Sequence, residues 1–287
     1  MGLDINSVQF LIQAHKEGAQ FDRVLMLGRQ SLNVYPAKMR QVLGRHELPA
    51  QAFAPPATGC DYAEPCFQAL GAKSVESMDA SDFEGAQWVH DLNRPIPPEL
   101  CERFDVVWDG GTLEHVFNFP LAVKNAMEMV RPGGRLFIHN CLNNVCGHGF
   151  YQFSPELFYR VFSQDNGFEV EHMVAHAIGP YGRWFAVADP DQIRSRVELI
   201  TFVPMQLMVQ ARRVRVAPIF ETPPQQSDYS ALWQAPGGAV AQNPGHSRLR
   251  RLFPGLARLV HALLTGLEFY HRQSTRNRKF FRPVRRP

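Results

Sequence analysis

The polar loop around His148 contains the side chains best suited to moving a proton. His148 lies between Gly147 and Gly149, after a predicted strand that opens at Leu136. Imidazole has a pKa of about 6.5, so it can accept a proton from a hydroxyl group near neutral pH. We therefore consider His148 a candidate general base and Tyr151 a candidate for orienting a substrate. The alternative is structural, with both side chains bonding the loop backbone and packing beneath the next helix.

Two further candidates end predicted strands. Gly28 follows the apolar strand Arg23–Leu27, and Asp79 follows a strand at residues 73–78. In a doubly wound sheet, the first strand ends in a glycine turn at the nucleotide, and an acid ending the second strand binds a ribose hydroxyl. The alternative for both residues is a turn without a ligand, because glycine and aspartate are favoured in turns.

Metal ligation and disulfides are not indicated by residue spacing. His90, His115, His139 and His148 match no spacing typical of zinc motifs. The chain has five cysteines, an odd number, and no CxxC pair. We therefore predict neither a metal site nor a disulfide framework.

The elements that position these residues centre on a unit from Phe104 to His139. Residues 104–108 are apolar and β-branched, as in a buried strand, and residues 119–130 carry apolar side chains at helical spacing. A run of Arg-Pro-Gly-Gly at 131–134 ends the helix, and a new strand follows. Strand, crossover helix and strand predict a βαβ unit with parallel strands.

The same criteria predict elements throughout the first three quarters of the chain. Gly28 and Asp79 are 51 residues apart, against about 20 in a plain βαβ unit, so we predict an insertion at about residues 30–60. The insertion follows the Gly28 turn and so lies beside the predicted nucleotide site, which suggests that it forms a lid. The remaining predicted strands are 87–90, 168–174 and 207–212, with a further extended run at 197–203. The remaining predicted helices are 7–16, 36–43, 62–70, one that starts at Ser154 and a short one that opens at residues 189–191.

Three motifs together resemble class I S-adenosylmethionine-dependent methyltransferases. They are Phe104-Asp105-Val106-Val107, Leu113-Glu114-His115-Val116 and Arg131-Pro132-Gly133-Gly134-Arg135-Leu136, in the family's order and spacing. The resemblance covers roughly residues 23–214. It implies an α/β fold with a Rossmann-like, seven-stranded, mostly parallel sheet and helices on both faces. A narrower likeness, through LGRQ and GHGFYQFSPELFYRVF, is to uncharacterised proteins similar to type 11 methyltransferases.

The resemblance also implies S-adenosyl-L-methionine as cofactor and a set of residues that bind it. Asp91 matches the acid that faces the adenine amino group, and Glu114 and His115 match the motif near the methionine end. Arg29 departs from the family's glycine-rich first turn, so it either pairs with the cofactor's carboxylate or blocks the site. The full set of cofactor-binding candidates is Gly28, Arg29, Asp79, Asp91, Asp109, Gly110, Glu114 and His115.

The function implied is methyl transfer to a small molecule or sugar, most simply at oxygen with His148 as base. The alternative is a non-catalytic, regulatory methyltransferase-like domain, because the first turn lacks the family's acid and later glycines. A nucleotide-sugar or NAD-type oxidoreductase is disfavoured because the GxGxxG pattern is missing from this turn.

Charge divides the chain into an acidic body and a basic tail. Residues 248–287 contain 11 Lys and Arg and one Glu, which gives this segment a net charge of +10. The net charge of all 287 residues is +3, so residues 1–247 have a net charge of −7. We expect a methyltransferase-like domain at 1–214, a linker at 215–247 and a basic amphipathic helical tail at 248–287. The tail suits an anionic membrane surface, a partner protein, or a helix folded back on the domain. Nucleic acid is disfavoured because the body is acidic.

The sequence shows neither a secretory signal pattern at its start nor an apolar run of the about 18–20 residues that span a bilayer. We therefore expect a cytoplasmic protein, with peripheral binding to the inner membrane surface as an option for the tail. Composition agrees with a folded domain, at 45% hydrophobic and 20% charged residues.

Overall fold

The fold is that of a computed structural model, which describes residues 2–49, 62–180, 182–229, 263–264, 266–267, 270 and 272–287. The strands in this part of the chain are β1 (Gly2–Leu3), β2 (Arg23–Leu27), β3 (Ser31–Leu32), β4 (Ser74–Asp79), β5 (Trp88–Val89), β6 (Phe104–Asp109), β7 (Val130–Asn143), β8 (Phe168–Ala177), β9 (Trp184–Val187), β10 (Met205–Arg213) and β11 (Phe281–Val284). The α-helices are α1 (Ile5–Lys16), α2 (Pro36–Arg45), α3 (Glu64–Ala69), α4 (Phe119–Met129), α5 (Pro155–Val161) and α6 (Pro190–Ile193). Two 3-10 helices span Pro98–Leu100 and Leu113–His115.

The main sheet has the strand order β11-β9-β8-β10-β7-β6-β2-β4-β5. The five strands from β5 to β7 run parallel, and β2 lies between β4 and β6. Chain order therefore reverses between β2 and β6, which makes this pair the topological switch point of a doubly wound sheet. Ligands of such sheets bind at the carboxyl ends of the strands beside that point.

Helices cover both faces of the sheet, as the sequence predicted. In β2, the alternate residues Val24 and Met26 belong to a core cluster that includes α1, α2 and α3. Leu25 and Leu27 face the other cluster, which includes α4 and α5. Burial on both faces explains why β2 is a continuous apolar run rather than an alternating one.

The predicted seven-stranded, mostly parallel sheet is wrong in number and direction. Among the described residues the sheet has nine strands, and its eight neighbouring pairs are four parallel and four antiparallel. The two added strands are β9 and β11. They pair because the side chain of Phe281 is fully buried opposite Val187, which anchors the chain's last segment on the sheet.

The basic tail predicted as a helix at 248–287 therefore ends in a strand rather than a free arm. Residues 263–264, 266–267, 270 and 272 are helical, and the other residues of the predicted helix before residue 272 lie outside the described part. Leu263, Leu264 and Leu267 are exposed by 58%, 60% and 56%. Their apolar side chains do not contribute to either core cluster of the described residues.

The insertion is attached to the amino-terminal segment. Its strand β3 pairs in parallel with β1, and α2 buries Met39, Val42 and Leu43 in the core. Residues 50–60 of the predicted lid lie outside the described part. At the other end, residues 215–229 of the predicted linker contact the domain: Ile219 is buried, and the backbone N–H and hydroxyl of Ser227 donate to Glu156.

None of the helices in the described part has the length and apolar character of a membrane span. The four cysteines that the structure describes, Cys66, Cys101, Cys141 and Cys146, are all free thiols, whereas Cys60 lies outside this part.

A buried polar chain fastens α1 to the sheet. Asp4 caps the helix by accepting a hydrogen bond from the Ser7 N–H at 2.8 Å. The Ser7 hydroxyl lies 2.7 Å from His139 Nδ1, and His139 Nε2 lies 3.0 Å from His176 Nε2. Both imidazoles are at most 4% exposed, and this burial lowers the pKa of each. The folded protein therefore holds both histidines in the neutral state.

These two histidines predict acid sensitivity. Histidine in the unfolded chain titrates at about pH 6.5, above the pKa of either buried ring, so the unfolded chain binds more protons below that pH. The stabilisation is present above about pH 6.5 and is lost as pH falls, by up to about 1.4 kcal/mol per pH unit for each ring. Urea unfolding between pH values of about 8 and 5 should show this slope.

His176→Gln should flatten the slope, because only one buried ring then remains to be protonated. The matched control is His172→Gln on the same strand, whose partly exposed ring bonds Glu17 at 2.6 Å. An unchanged slope in His176→Gln would refute the assignment.

Candidate functional site

The turn after β2 and the loop after β6 are joined at the switch point. Gly28 has φ +68°, and a Cβ placed on it would stand 3.0 Å from Thr112 Oγ1. The Thr112 hydroxyl donates to the Leu27 carbonyl at 2.7 Å. The left-handed backbone and the close approach both require glycine at position 28.

Gln30 lies under this turn. It was not identified from the sequence as a candidate site residue. Its side chain is 3% exposed, and its amide donates to the Leu27 carbonyl at 2.7 Å. A Cβ on Gly110 would stand 2.5 Å from Gln30 Oε1, so the amide occupies the space beside Gly110. The run Leu27-Gly28-Arg29-Gln30 indicates a turn, but it does not indicate the direction of the Gln30 side chain.

Arg29 is held by three neighbours. Its Nε lies 2.8 Å from Glu64 Oε1, its Nη1 donates to the Glu84 carbonyl at 2.9 Å, and its guanidinium carbon stands 3.9 Å from the Tyr62 ring centroid. These contacts join the start of α3 to the loop after β4.

The two candidate acids after β4 and β5 differ in position. Asp79 accepts a hydrogen bond from the Ala80 N–H on one oxygen, and its other oxygen lies 3.9 Å from the Cβ position of Gly28. Asp91 is exposed and accepts bonds from the Asn93 backbone and side chain, which lower its pKa. The structure thus brings Asp79 to the Gly28 turn and places Asp91 in a turn of its own.

Asp109 shapes the loop after β6. It is fully buried, and Oδ1 accepts bonds from the backbone N–H groups of Thr112 and Leu113 at 2.8 and 3.2 Å. Its second oxygen accepts from the Asn140 side chain on β7 at 2.9 Å. Burial raises the pKa of Asp109 to about 6. The carboxyl group fixes the loop from the inside.

Glu114, His115 and His148 form one cluster, which we call the Glu-His-His cluster. Their ligand atoms all lie within 4.8 Å of one another. His148 Nε2 lies 3.5 Å from Glu114 Oε1, and the two imidazole centroids are 5.0 Å apart. Two of these residues are neighbours in sequence and the third follows the adjacent strand, which is why sequence spacing gave no indication of a cluster.

Backbone hydrogen bonds hold the cluster together. The N–H groups of Phe150 and Tyr151 donate to the Glu114 carbonyl at 2.8 and 3.3 Å. Gly149, which immediately precedes these two residues, has φ +80°, and a Cβ there would stand 2.8 Å from the same carbonyl. The loop that contains His148 can approach Glu114 only because position 149 is glycine.

The carboxyl group of Glu114 is fully buried, and neither of its oxygens has a hydrogen-bond partner. Burial and the neighbouring Asp109 raise the pKa of Glu114 to about 8. His148 Nε2 is also buried without a partner, although its side chain as a whole is 37% exposed. Burial lowers the pKa of His115. Unpartnered buried polar atoms are rare in folded proteins, so a group of them facing each other indicates a functional site.

Tyr151 lies beside the cluster with its hydroxyl occupied. The hydroxyl donates to the Phe117 carbonyl at 2.7 Å, and the ring stacks on Phe153. The rings of Phe117 and Phe150 are 73% and 67% exposed and touch each other edge to face. The cluster therefore has an exposed aromatic margin.

A cavity of about 510 Å³ lies away from the site, at the edge of the sheet where the parallel strands begin. It is lined by Cys101 and Glu102 before β6, Arg213 at the end of β10, and residues 216–221. Ligands of doubly wound sheets bind at the other edge, so this cavity is not part of the site.

No family model matches the chain, and no curated protein matches it. Solved structures do match. One is a protein of Bacillus halodurans C-125 that is described as a putative methyltransferase. The match has 13% sequence identity, covers 71% of this chain and 99% of that chain, and has a TM-score of 0.35. Another is 1,6-didemethyltoxoflavin-N1-methyltransferase of Burkholderia thailandensis with bound S-adenosylhomocysteine, at 13% identity, 74% and 80% coverage and a TM-score of 0.40. A third is the branched-chain polyamine synthase of Thermus thermophilus with 5′-methylthioadenosine, at 12% identity, 76% and 59% coverage and a TM-score of 0.39. Because every TM-score is below 0.5, these similarities carry no weight for the function of this chain.

The geometry at Gly149 gives a prediction. Gly149→Ala would place a methyl group against the Glu114 carbonyl in a left-handed backbone, so we expect a loss of about 1–3 kcal/mol in unfolding free energy. The matched control is Gly147→Ala in the same loop, where a Cβ has no atom within 4 Å and φ is not positive. The control should stay within about 0.5 kcal/mol in urea unfolding. Equal effects of the two variants would contradict the assigned contact.

Proposed function

We propose that this chain is an S-adenosylmethionine-dependent methyltransferase that methylates a hydroxyl group of a small molecule or sugar. The observation that carries the proposal is the juxtaposition at the switch point. The Gly28 turn and the Asp79 carboxylate lie together on one side, and the Glu-His-His cluster lies in the loops after β6 and β7. This juxtaposition supports a nucleoside site and a proton-accepting site at the same edge of the sheet.

The residues at this edge fit the cofactor. Gly28 gives the backbone a close approach, and Asp79 is placed to accept hydrogen bonds from ribose hydroxyls. Asp91 is proposed to face the adenine. The methionine end is assigned to the loops held by Asp109, with contributions from Arg29, Gly110, Glu114 and His115.

When bound, the cofactor supplies a methyl group on a sulfonium for in-line displacement. The chain must align the acceptor and take its proton. We assign the proton to His148, on the ring nitrogen that faces away from Glu114. The buried carboxyl group of Glu114 faces Nε2 at 3.5 Å, which leaves the other ring nitrogen for the acceptor. Tyr151 positions the acceptor through its ring, since its hydroxyl is bonded to Phe117.

A regulatory, non-catalytic domain is the second candidate, and one observation favours it. The Gln30 amide fills the space between Gly28 and Gly110, which leaves less room for a ligand beside the turn. A domain of this kind would bind neither the cofactor nor its demethylated product.

The tail is a separate part of the proposal. The exposed leucines at 263, 264 and 267 and the basic residues around them suit an anionic membrane surface or a partner protein. A variant that tests the role of the tail must retain β11, because truncation from residue 248 would remove this strand from the sheet.

Cofactor binding tests the proposal directly. Calorimetry of the full chain with S-adenosylmethionine and S-adenosylhomocysteine should show binding to a single site. Asp79→Asn should weaken it about tenfold or more, since a charged acceptor of ribose hydroxyls is lost. Glu99→Gln, at an exposed position on the opposite edge, is the control and should bind as the unmodified chain does. The absence of heat and of thermal stabilisation with both ligands would favour the regulatory domain.

The role of His148 is tested by turnover. Production of S-adenosylhomocysteine is followed with a panel of phenols and sugars as acceptors. His148→Ala should lower turnover by about 10²–10⁴ while leaving the dissociation constant of S-adenosylmethionine unchanged. His172→Ala, on β8 where the ring bonds Glu17, is the control and should keep full turnover. If His148→Ala turns over normally, another group is the base.

A further inference from the structure

We propose that Glu114, His115 and His148 bind a divalent transition-metal ion. Nothing in the chain's sequence spacing indicates such a site, because its ligands come from the loops after two neighbouring strands. The proposal rests on distances, on unpartnered buried atoms and on the way the two loops are fastened together.

The distances are close to those of a coordination shell. Ligands at about 2.0–2.2 Å from a tetrahedral metal stand about 3.3–3.6 Å from each other. Glu114 Oε1 and His148 Nε2 are 3.5 Å apart, and the ligand atoms of all three residues lie within 4.8 Å. A small rotation of the exposed His115 ring would bring its nitrogen to the same spacing.

The buried atoms lack the partners that a cation would supply. Both oxygens of Glu114 and Nε2 of His148 are buried without a hydrogen bond. Leaving such groups unpaired in the interior is unfavourable, and more so when they are charged. The pair formed by His172 and Glu17 provides the contrast, since those side chains approach to 2.6 Å and bond each other directly. At 3.5 Å, Glu114 and His148 are too far apart for that bond and suitably spaced for a shared ion.

Hydrogen bonds fasten both loops, so their backbones are positioned before an ion arrives. Asp109 fixes one loop through the N–H groups of Thr112 and Leu113. The other loop is fastened to the Glu114 carbonyl by Phe150 and Tyr151. Ligands held by packed elements and secondary hydrogen bonds are the condition for a specific metal site.

The ligand set selects the metal. Two imidazole nitrogens and one carboxylate suit zinc, iron or cobalt, whereas magnesium and calcium prefer oxygen ligands throughout. Three protein ligands also leave coordination positions open, and the exposure of His115 directs them towards solvent.

An open position on this ion would be where the acceptor's oxygen binds, a consequence that rests on the proposed function. The ion would lower the pKa of the bound hydroxyl, and His148 would then act as a ligand rather than as the base. The substrate class would be a hydroxylated small molecule that reaches the ion past the exposed Phe117 and Phe150 rings.

The test uses the full chain without a histidine tag, first treated with EDTA. Titration with Co²⁺ should give visible absorption bands of a protein-bound ion at one equivalent, and Zn²⁺ should displace them. Glu114→Gln keeps the shape of the buried side chain while removing a charged ligand, and should weaken Co²⁺ binding about tenfold or more. His148→Ala and His115→Ala should do the same. His172→Ala removes a histidine that already has a carboxylate partner, and should leave the titration unchanged.

Circular dichroism confirms that each variant is folded before it is titrated. The absence of a protein-bound cobalt spectrum, or binding that is equal in all four variants, would overturn the metal proposal. Calorimetry with S-adenosylmethionine in EDTA separates the two proposals: cofactor binding without cobalt binding refutes only the ion, and cobalt binding without cofactor binding refutes only the methyltransferase.

Discussion

The buried carboxyl group of Asp109 is the interaction on which the site depends. It ends β6 at the point where chain order reverses, and it accepts hydrogen bonds from two N–H groups of its own loop and from Asn140 on the next strand. Taking a carboxyl group out of water is unfavourable unless it is bonded in this way. The loop is therefore confined to a single course, which turns Thr112 towards β2 and Glu114 towards the loop after β7.

Close backbone approaches then determine how the loops after β2, β6 and β7 pack together. Gly28 and Gly149 both adopt left-handed conformations, and at each of them a Cβ would meet an atom of the Asp109 loop. The three loops are thus packed through positions without side chains. Such packing keeps Glu114 dry and leaves its carboxyl group next to His148 without any bonding partner.

Local patterns in the sequence were sufficient for the parallel half of the sheet. The strands β2, β4, β5 and β6 and the helices around them follow from apolar runs, helical spacing and turn residues. The strand β7 was also predicted, but it begins at Val130 and includes residues 131–134, which were predicted as a turn. Gly28 and Asp79 likewise follow from their positions at strand ends, whereas Asp91, Glu114 and His115 follow from the resemblance to the family motifs. These signals are local, and a residue that ends a buried strand must lie at the edge of the sheet.

Contacts between distant residues could not be predicted in this way. The run Phe281-Arg282-Pro283-Val284 has the composition of a solvated arm, and only the pocket that receives Phe281 makes it a strand. The direction of the Gln30 side chain depends on Gly110, which is 80 residues away in sequence. The pairing of Glu114 with His148 depends on the neighbouring positions of β6 and β7 and on a glycine at position 149.

The last strand also closes the sheet against further growth. β11 lies at the outer edge, so its free side would offer backbone groups to any extended chain that approached. Pro283 in the middle of this strand has no N–H to donate, and the exposed arginines at 282 and 285 add positive charge on either side of it. Proline and repelling charges are the means by which natural edge strands resist joining a neighbouring molecule, so this terminus protects the protein from aggregating edge to edge.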